Sequence, residues 1–240
     1  MKSAKLHPYF ILHLGIFLVS FTGVLGKAIS LREGVLVWYR MLFSIVILGA
    51  FIILSKRWRP VQKKDRFKAL SIGALFALHW ILWYGSIKVS NASIAMSCIS
   101  TVAIFTAILE PLTTKAKFKL RDILLALMGG LGMYLVYMGT EANRLGVILG
   151  VISAFVVAIA STFNKPLSER NDPYNLTLTE FSGAFLFCTL SLPLYLTFFP
   201  QSNLVPTAND FGLLMVFVVL CTLAPFILNL YALKDRKSVV

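Results

Sequence analysis

Residues 145–163 read LGVILGVISAFVVAIASTF, an apolar run without a charged side chain. A helix rises about 1.5 Å per residue, so a run of this length nearly crosses the hydrocarbon core of a bilayer, which is about 30 Å thick. Membrane-spanning strands would be about 10 residues long and would alternate in polarity, which this run does not do. The stretch therefore predicts a membrane-spanning α-helix.

Seven further stretches have the same character. The eight predicted spans cover residues 9–26, 35–54, 69–87, 92–112, 122–139, 145–163, 176–198 and 211–231. The composition agrees, because 58% of the residues are hydrophobic, against about 45–50% in globular proteins. We predict an all-α polytopic membrane protein whose main surroundings are the lipid bilayer.

The basic residues gather between the apolar runs. The net charge is +13, but Lys and Arg only punctuate hydrophobic segments and form no solvated basic face, so nucleic-acid binding is excluded as a function. One set of alternate connections and the N-terminal segment carries 15 Lys and Arg, and the other set carries four. Because short cytoplasmic loops retain positive charge, we expect a multi-pass protein of the plasma membrane with a cytoplasmic N-terminus.

Weak internal repetition links the two halves of the chain. The segment 83–88 can be aligned with 229–234, and two single positions align at similar spacing, Gly15 with Gly150 and Lys27 with Lys165. Matches in this order suggest a repeat of five spans. An odd number of spans inverts the second copy, and inverted repeats are a hallmark of secondary transporters.

The repeat defines the expected domains. Residues 1–140 form a first five-helix repeat, and residues 145–234 form a second repeat with only three spans. Eight spans of an expected ten are then present, so we expect the chain to be truncated at its C-terminal end. Residues 235–240 look like the translation of a sequencing adapter, and we interpret them as an artefact.

The chain resembles the EamA-type branch of the drug/metabolite transporter superfamily over residues 9–234. The segments that carry the resemblance are 38–44 (WYRMLFS), 83–93, 100–107 (STVAIFTA), 220–222 (LCT) and 231–234 (YALK). The resemblance implies ten spans in two five-span halves, both termini in the cytoplasm, and export or exchange of amino acids or related metabolites.

Arg40 is the sharpest candidate for a functional residue. An ionisable group in hydrocarbon costs several kcal/mol unless it is paired or faces a wet cavity. Arg40 lies five residues into the second predicted span, about 8 Å below its outer boundary. It could bind a substrate carboxylate bidentately, or it could fix two helices by bonding to a carbonyl group. Both interpretations stay open.

Five more residues are candidates for substrate binding or coupling. His79 lies in the middle of the third span beside Trp80 and one turn from Trp83, so it either lines a cavity or packs as a hydrogen-bonded core residue. Glu110 and Glu180 lie near the inner ends of the fourth and seventh spans. Each could carry a coupling proton, or could be an interfacial carboxylate close to the basic loops.

A stripe of small residues in the sixth span predicts close helix packing. Its members follow fourfold spacing: Gly146, Gly150, Ala154 and Ala158. The contact lies within the protomer, or it joins two protomers in a homodimer. The three cysteines have no Cys or His partner at metal-ligand spacing, so we expect neither a metal site nor a cofactor.

The best functional interpretation is a secondary transporter of small polar metabolites such as amino acids, working by alternating access. An intramembrane enzyme is the less favoured alternative, because the sequence has no Gly-x-Ser-x-Gly, His-Glu-x-x-His or Walker A motif and so no catalytic residues to assign. A membrane assembly or signalling protein is the other alternative, although such proteins usually carry a soluble appendage. We therefore expect no enzymatic activity.

Overall fold

The computed structural model describes residues 8–113, 120–139, 143–201 and 203–228. Eight of its helical segments are long and apolar enough to cross a membrane: Tyr9–Ala28, Glu33–Leu54, Lys63–Val89, Ala92–Thr113, Leu120–Met138, Arg144–Arg170, Pro173–Phe198 and Ala208–Leu228. The all-α polytopic prediction and its eight spans are confirmed. The predicted last residues of the eighth span, the aligned segment 229–234 and residues 235–240 lie outside the described residues.

Three of these spans are interrupted. The first consists of helices Pro8–Ser20 and Thr22–Ala28, and the fourth of helices Ala92–Ile99 and Val102–Thr113. The eighth begins with helix Ala208–Val218, which continues into a π-helical turn, Val219–Leu223. Irregular turns of this kind inside a helix are frequent at functional sites.

Two helices extend by at least six residues beyond one of their predicted ends. The third span begins at Lys63 and the sixth continues to Arg170, both outside the apolar runs. The extensions meet at Asp65, whose carboxylate accepts hydrogen bonds from Arg170 Nη2 and from Asn171 Nδ2, each at 3.1 Å. The polar residues that end the hydrophobic run therefore continue the helices and join them outside the core.

Local sequence explains where the seventh and eighth spans begin. Asp172 caps the seventh span by accepting from the backbone N–H groups of Tyr174 and Asn175, and Pro173 occupies the first helical turn. The eighth span begins with a capping box between Thr207 and Asp210. Short polar segments between the apolar runs therefore determine where both helices begin.

The third span is the centre of the bundle and crosses the seventh at backbone distance. A Cβ atom added to Gly73 would lie 1.8 Å from the carbonyl oxygen of Glu180, and one added to Gly183 would lie 2.1 Å from the carbonyl oxygen of Leu70. Only glycine leaves room for helices this close. The two glycines therefore set the position of both spans.

The small-residue stripe of the sixth span faces the third and fourth spans. A Cβ atom at Gly146 would lie 2.4 Å from the Ser90 Cβ, and one at Gly150 would lie 2.8 Å from the Cys98 Cβ. Ala154 and Ala158 are fully buried. The stripe thus packs inside the protomer, and the homodimer alternative stays a prediction.

The outer surface carries many large apolar side chains. The fifth span is the clearest case, because its exposed face includes Leu124, Leu127, Met128, Leu131 and Leu135. In water such an apolar surface would promote aggregation, whereas in a bilayer it faces the lipid hydrocarbon. The chain is a multi-pass membrane protein.

Candidate functional site

A cavity of about 390 Å³ lies among the first, second, third, fourth, sixth and eighth spans. Its apolar and aromatic walls include Phe76, Trp80, Trp83, Ile99, Val157 and Phe226. Its polar lining includes Thr22, Arg40, His79, Ser161, Asn164 and Lys165. Apolar walls with a few polar groups are typical of sites that bind small molecules of metabolite size.

Arg40 is buried in the wall of this cavity, with 3% of its surface exposed. Its Nε donates to Thr222 Oγ1 at 2.7 Å, and its Nη1 donates to the Tyr84 hydroxyl at 3.0 Å. The guanidinium carbon also lies 4.3 Å from the ring centre of Trp80 and 4.6 Å from that of Phe217. Among the described residues, no carboxylate forms an ion pair with it. The positive charge is therefore held by hydroxyls and aromatic faces alone.

Backbone geometry presents both hydroxyls to Arg40. Thr222 lies in the π-helical turn and donates its own proton to the Phe217 carbonyl at 3.1 Å, which leaves its oxygen to accept from Arg40. The Tyr84 ring lies against Gly26 of the first span, where a Cβ atom would be 2.3 Å from the ring. Arg40 thus joins the second span to the third and eighth spans through hydroxyl groups, and the predicted carbonyl contact is not observed.

His79, Trp80 and Trp83 all line the cavity. His79 Nδ1 lies 3.0 Å from the Ser153 carbonyl oxygen and 2.8 Å from Ser153 Oγ, and that hydroxyl donates to the His79 carbonyl at 3.0 Å. Because a carbonyl only accepts, this contact requires the proton on Nδ1 and leaves Nε2 as the acceptor of a neutral ring. His79 therefore both packs against the sixth span and faces the cavity, so the two interpretations offered for it are compatible.

The two candidate carboxylates have opposite environments. Glu110 forms an ion pair with Lys165 of the sixth span, and about a third to a half of each side chain is exposed. A pair this accessible is held weakly. Glu180 is fully buried instead, and neither of its oxygens has a hydrogen-bond partner among the described residues. Glu110 is therefore an accessible, ion-paired carboxylate and Glu180 is a buried one, and their roles stay predictions.

Asn164 connects Glu180 to the cavity. Its side chain lines the cavity and is close enough to act on the Glu180 carboxyl, although no hydrogen bond of standard geometry joins them. Its Oδ1 also lacks a hydrogen-bond partner within the described ranges. A buried carboxyl thus lies one side chain behind the cavity wall.

The cavity is placed differently with respect to the two ends of the helix bundle. Where the first span meets the second, Ser30 donates to Asp210 from its backbone N–H at 2.8 Å and from its hydroxyl at 2.6 Å. At the same end, Tyr195 donates to Glu33 at 2.7 Å. The cavity lining extends the other way to Lys165 and Ser168, near the C-terminal end of the sixth span. Hydrogen bonds between the two halves of the chain therefore cross the bundle at the first end.

Several residues of this site were not predicted from the sequence, among them Tyr84, Ser153, Asn164 and Thr222. A buried arginine requires acceptors, so a Tyr or Thr in another apolar run was a usable signal. The sequence does not say which helices face each other, however, and several spans offer such residues.

Comparison with known proteins gives three findings. The EamA-like transporter family matches the chain at residues 7–138 and again at 144–239. A protein of Archaeoglobus fulgidus described as an uncharacterized transporter is 28% identical over 165 residues, which cover 68% of this chain and 56% of that relative's length. A crystal structure superposes with a TM-score of 0.66 at 14% identity, covering 95% of this chain and 79% of the other, which shows a shared fold.

Proposed function

The chain belongs to the EamA-like transporter family, and from this premise we propose that it is a secondary transporter of small polar metabolites such as amino acids. In this proposal the solute binds in the cavity, and the two halves of the chain rearrange to expose it to either side of the plasma membrane. The absence of enzymatic activity is part of the same proposal.

The observation that carries this proposal is the environment of Arg40. A buried guanidinium with two hydroxyl partners and no carboxylate among the described residues still has N–H donors to offer. Arginine binds carboxylates bidentately, and the surrounding aromatic rings exclude water and strengthen such a bond. We therefore assign to Arg40 the recognition of the solute's carboxylate, with His79, Trp80 and Trp83 contacting the remainder of the solute.

The direction of access follows from two predictions taken together. If the N-terminus is cytoplasmic, the C-terminal end of the sixth span lies on the cytoplasmic side. The cavity lining reaches that end at Ser168, while the Ser30–Asp210 bonds cross the bundle at the other. We propose that this conformation faces the cytoplasm, as an exporter does when it loads its solute.

Transport by purified protein in liposomes tests the proposal. A panel of radiolabelled amino acids and their decarboxylated amines would be offered, and we expect flux only for solutes that carry a carboxylate. Arg40→Ala should lower this flux at least about a hundredfold, because a charge-assisted bidentate contact contributes about 3 kcal/mol. Arg144→Ala is the matched control, since Arg144 is an exposed arginine at the start of the sixth span. Equal flux of acids and amines, or normal flux in Arg40→Ala, would contradict the assignment.

A further inference from the structure

The buried carboxyl of Glu180 has no group that compensates a negative charge. The side chain is fully buried, and both oxygens lack hydrogen-bond partners in the described part of the chain. The seventh span brings it against the backbone of the third span at Gly73. The ring of the next residue, Phe181, packs on Trp80 and Phe226. The carboxyl therefore lies in the packed interior of the bundle.

Charged and titratable groups on the neighbouring spans are already engaged elsewhere. On the second span, Arg40 bonds to Tyr84 of the third and to a threonine of the eighth. On the third, His79 is tied to a serine of the sixth span. On the sixth, Lys165 pairs with Glu110. Among the described residues, no cation forms an ion pair with Glu180.

A proton on Glu180 satisfies this arrangement. An unpaired carboxylate in such a place is far more costly than a neutral carboxyl, which holds its proton instead. The neutral carboxyl also gains an O–H donor. The Asn164 side chain is close to the Glu180 carboxyl, and its Oδ1 has no partner of its own within the described residues. A protonated carboxyl carries its hydrogen on one oxygen and can donate it to a second, so one proton can satisfy two of the three oxygen atoms that have no donor among the described residues.

We propose that Glu180 is the proton-carrying site of this protein and that Asn164 is its connection to the cavity. This inference rests on the proposed transport function and deepens it by naming the coupling ion. When the helices separate and water reaches the carboxyl, Glu180 releases H⁺ to a water molecule and becomes a carboxylate. When the packing forms again, the carboxylate takes up H⁺ from water on the side to which the cavity is open. No electron is transferred, and the proton is the only species exchanged.

Glu110 does not fit this role. It already pairs with Lys165, and both side chains are accessible to solvent. The cation and the solvent stabilise the carboxylate, so Glu110 does not need a bound proton. This difference makes Glu110 the matched control for Glu180, because the two are glutamates on membrane spans and differ in burial.

Infrared spectroscopy of the purified chain tests proton occupancy without any solute. Wild-type protein at neutral pH should show the C=O stretching band of a protonated carboxyl. The band should be absent from Glu180→Gln and present in Glu110→Gln. Wild-type protein without such a band overturns the proposal and requires no variant to fold. A band that persists in Glu180→Gln overturns it as well.

A flux measurement tests coupling, using a solute that the transport panel identifies. With the membrane potential clamped at zero, one coupled proton per solute should give about tenfold accumulation per unit of pH gradient. We expect Glu180→Gln to show no accumulation but to retain solute exchange at equal pH, and Glu110→Gln to accumulate as wild type does. Accumulation driven by a sodium gradient, or by pH in Glu180→Gln, overturns the proposal. If no solute is transported, the proposed function fails, whereas the infrared result still decides whether Glu180 holds a proton.

Discussion

The crossing of the third and seventh spans makes a quantitative prediction for Gly73→Ala. The added methyl group would lie 1.8 Å from the carbonyl oxygen of Glu180, 2.7 Å from its carbonyl carbon and 2.9 Å from the Ala184 nitrogen. All three are backbone atoms, so no side chain can rotate away. To reach even 3.0 Å, below which Cβ contacts are essentially never observed, the helices must separate by about 1.2 Å.

The cost of that separation follows from known overpacking effects. Inserting a methyl group into a packed core costs about 1–3 kcal/mol, and a rigid backbone partner places Gly73→Ala near about 3 kcal/mol. For a chain of this size each kcal/mol shifts the melting temperature by about 2–4 °C, so we expect a loss of about 6–12 °C. The measurement is thermal unfolding of the purified protein in detergent.

A second glycine provides the control for this experiment. Gly132 lies in the fifth span, and a Cβ atom there would meet nothing within 4 Å. Gly132→Ala should leave the melting temperature unchanged or raise it slightly, because alanine favours helix by about 1 kcal/mol over glycine. If Gly73→Ala melts within about 2 °C of Gly132→Ala, the close crossing of the two spans is refuted.

Two further predictions concern polar contacts between spans. Asp210→Ala should destabilise the protein by about 2–3 kcal/mol, because it removes the carboxylate half of the capping box with Thr207 and the two bonds from Ser30. Asp210→Asn keeps a capping oxygen, so equal melting temperatures for the two variants would contradict this account. In wild-type protein, ¹⁵N NMR of the His79 side chain should show the proton on Nδ1, and Ser153→Ala should keep that tautomer because the Ser153 carbonyl remains. A proton on Nε2 in wild-type protein would show that the contact is assigned wrongly.

The spans were predictable because the bilayer fixes their length and composition. A charge-free apolar run as long as 145–163 has few structural alternatives to a membrane-spanning helix. The observed helix Arg144–Arg170 contains this run. The ends were less predictable, because polar residues outside the hydrocarbon continue a helix when a tertiary partner holds them. Asp65 does this for the third and sixth spans.

The environment of each candidate residue could not be read from its position along a span. Glu110 and Glu180 were both placed near inner ends, yet one is an accessible ion pair and the other is fully buried. Glu180 lies where the seventh span crosses the third at Gly73, whereas the Glu110 side chain is partly exposed near the end of the fourth span. Long-range packing of this kind depends on which helices are neighbours, and hydropathy contains no such information.

Trp80 is the side chain that relates the surroundings of Arg40 to those of Glu180. Its ring contacts the Arg40 guanidinium on one side, and it packs against Phe181, the residue next to Glu180. A direct ion pair between the arginine and the glutamate would satisfy both groups and leave neither able to bind anything else. Because no ion pair joins them, the two proposed roles are compatible: the arginine has N–H donors for an anion in the cavity, and the carboxyl can hold a proton. In the proposed mechanism, a solute that binds Arg40 in the cavity lies beside Trp80, whose ring packs against Phe181, so we propose this contact as the route by which solute binding affects Glu180.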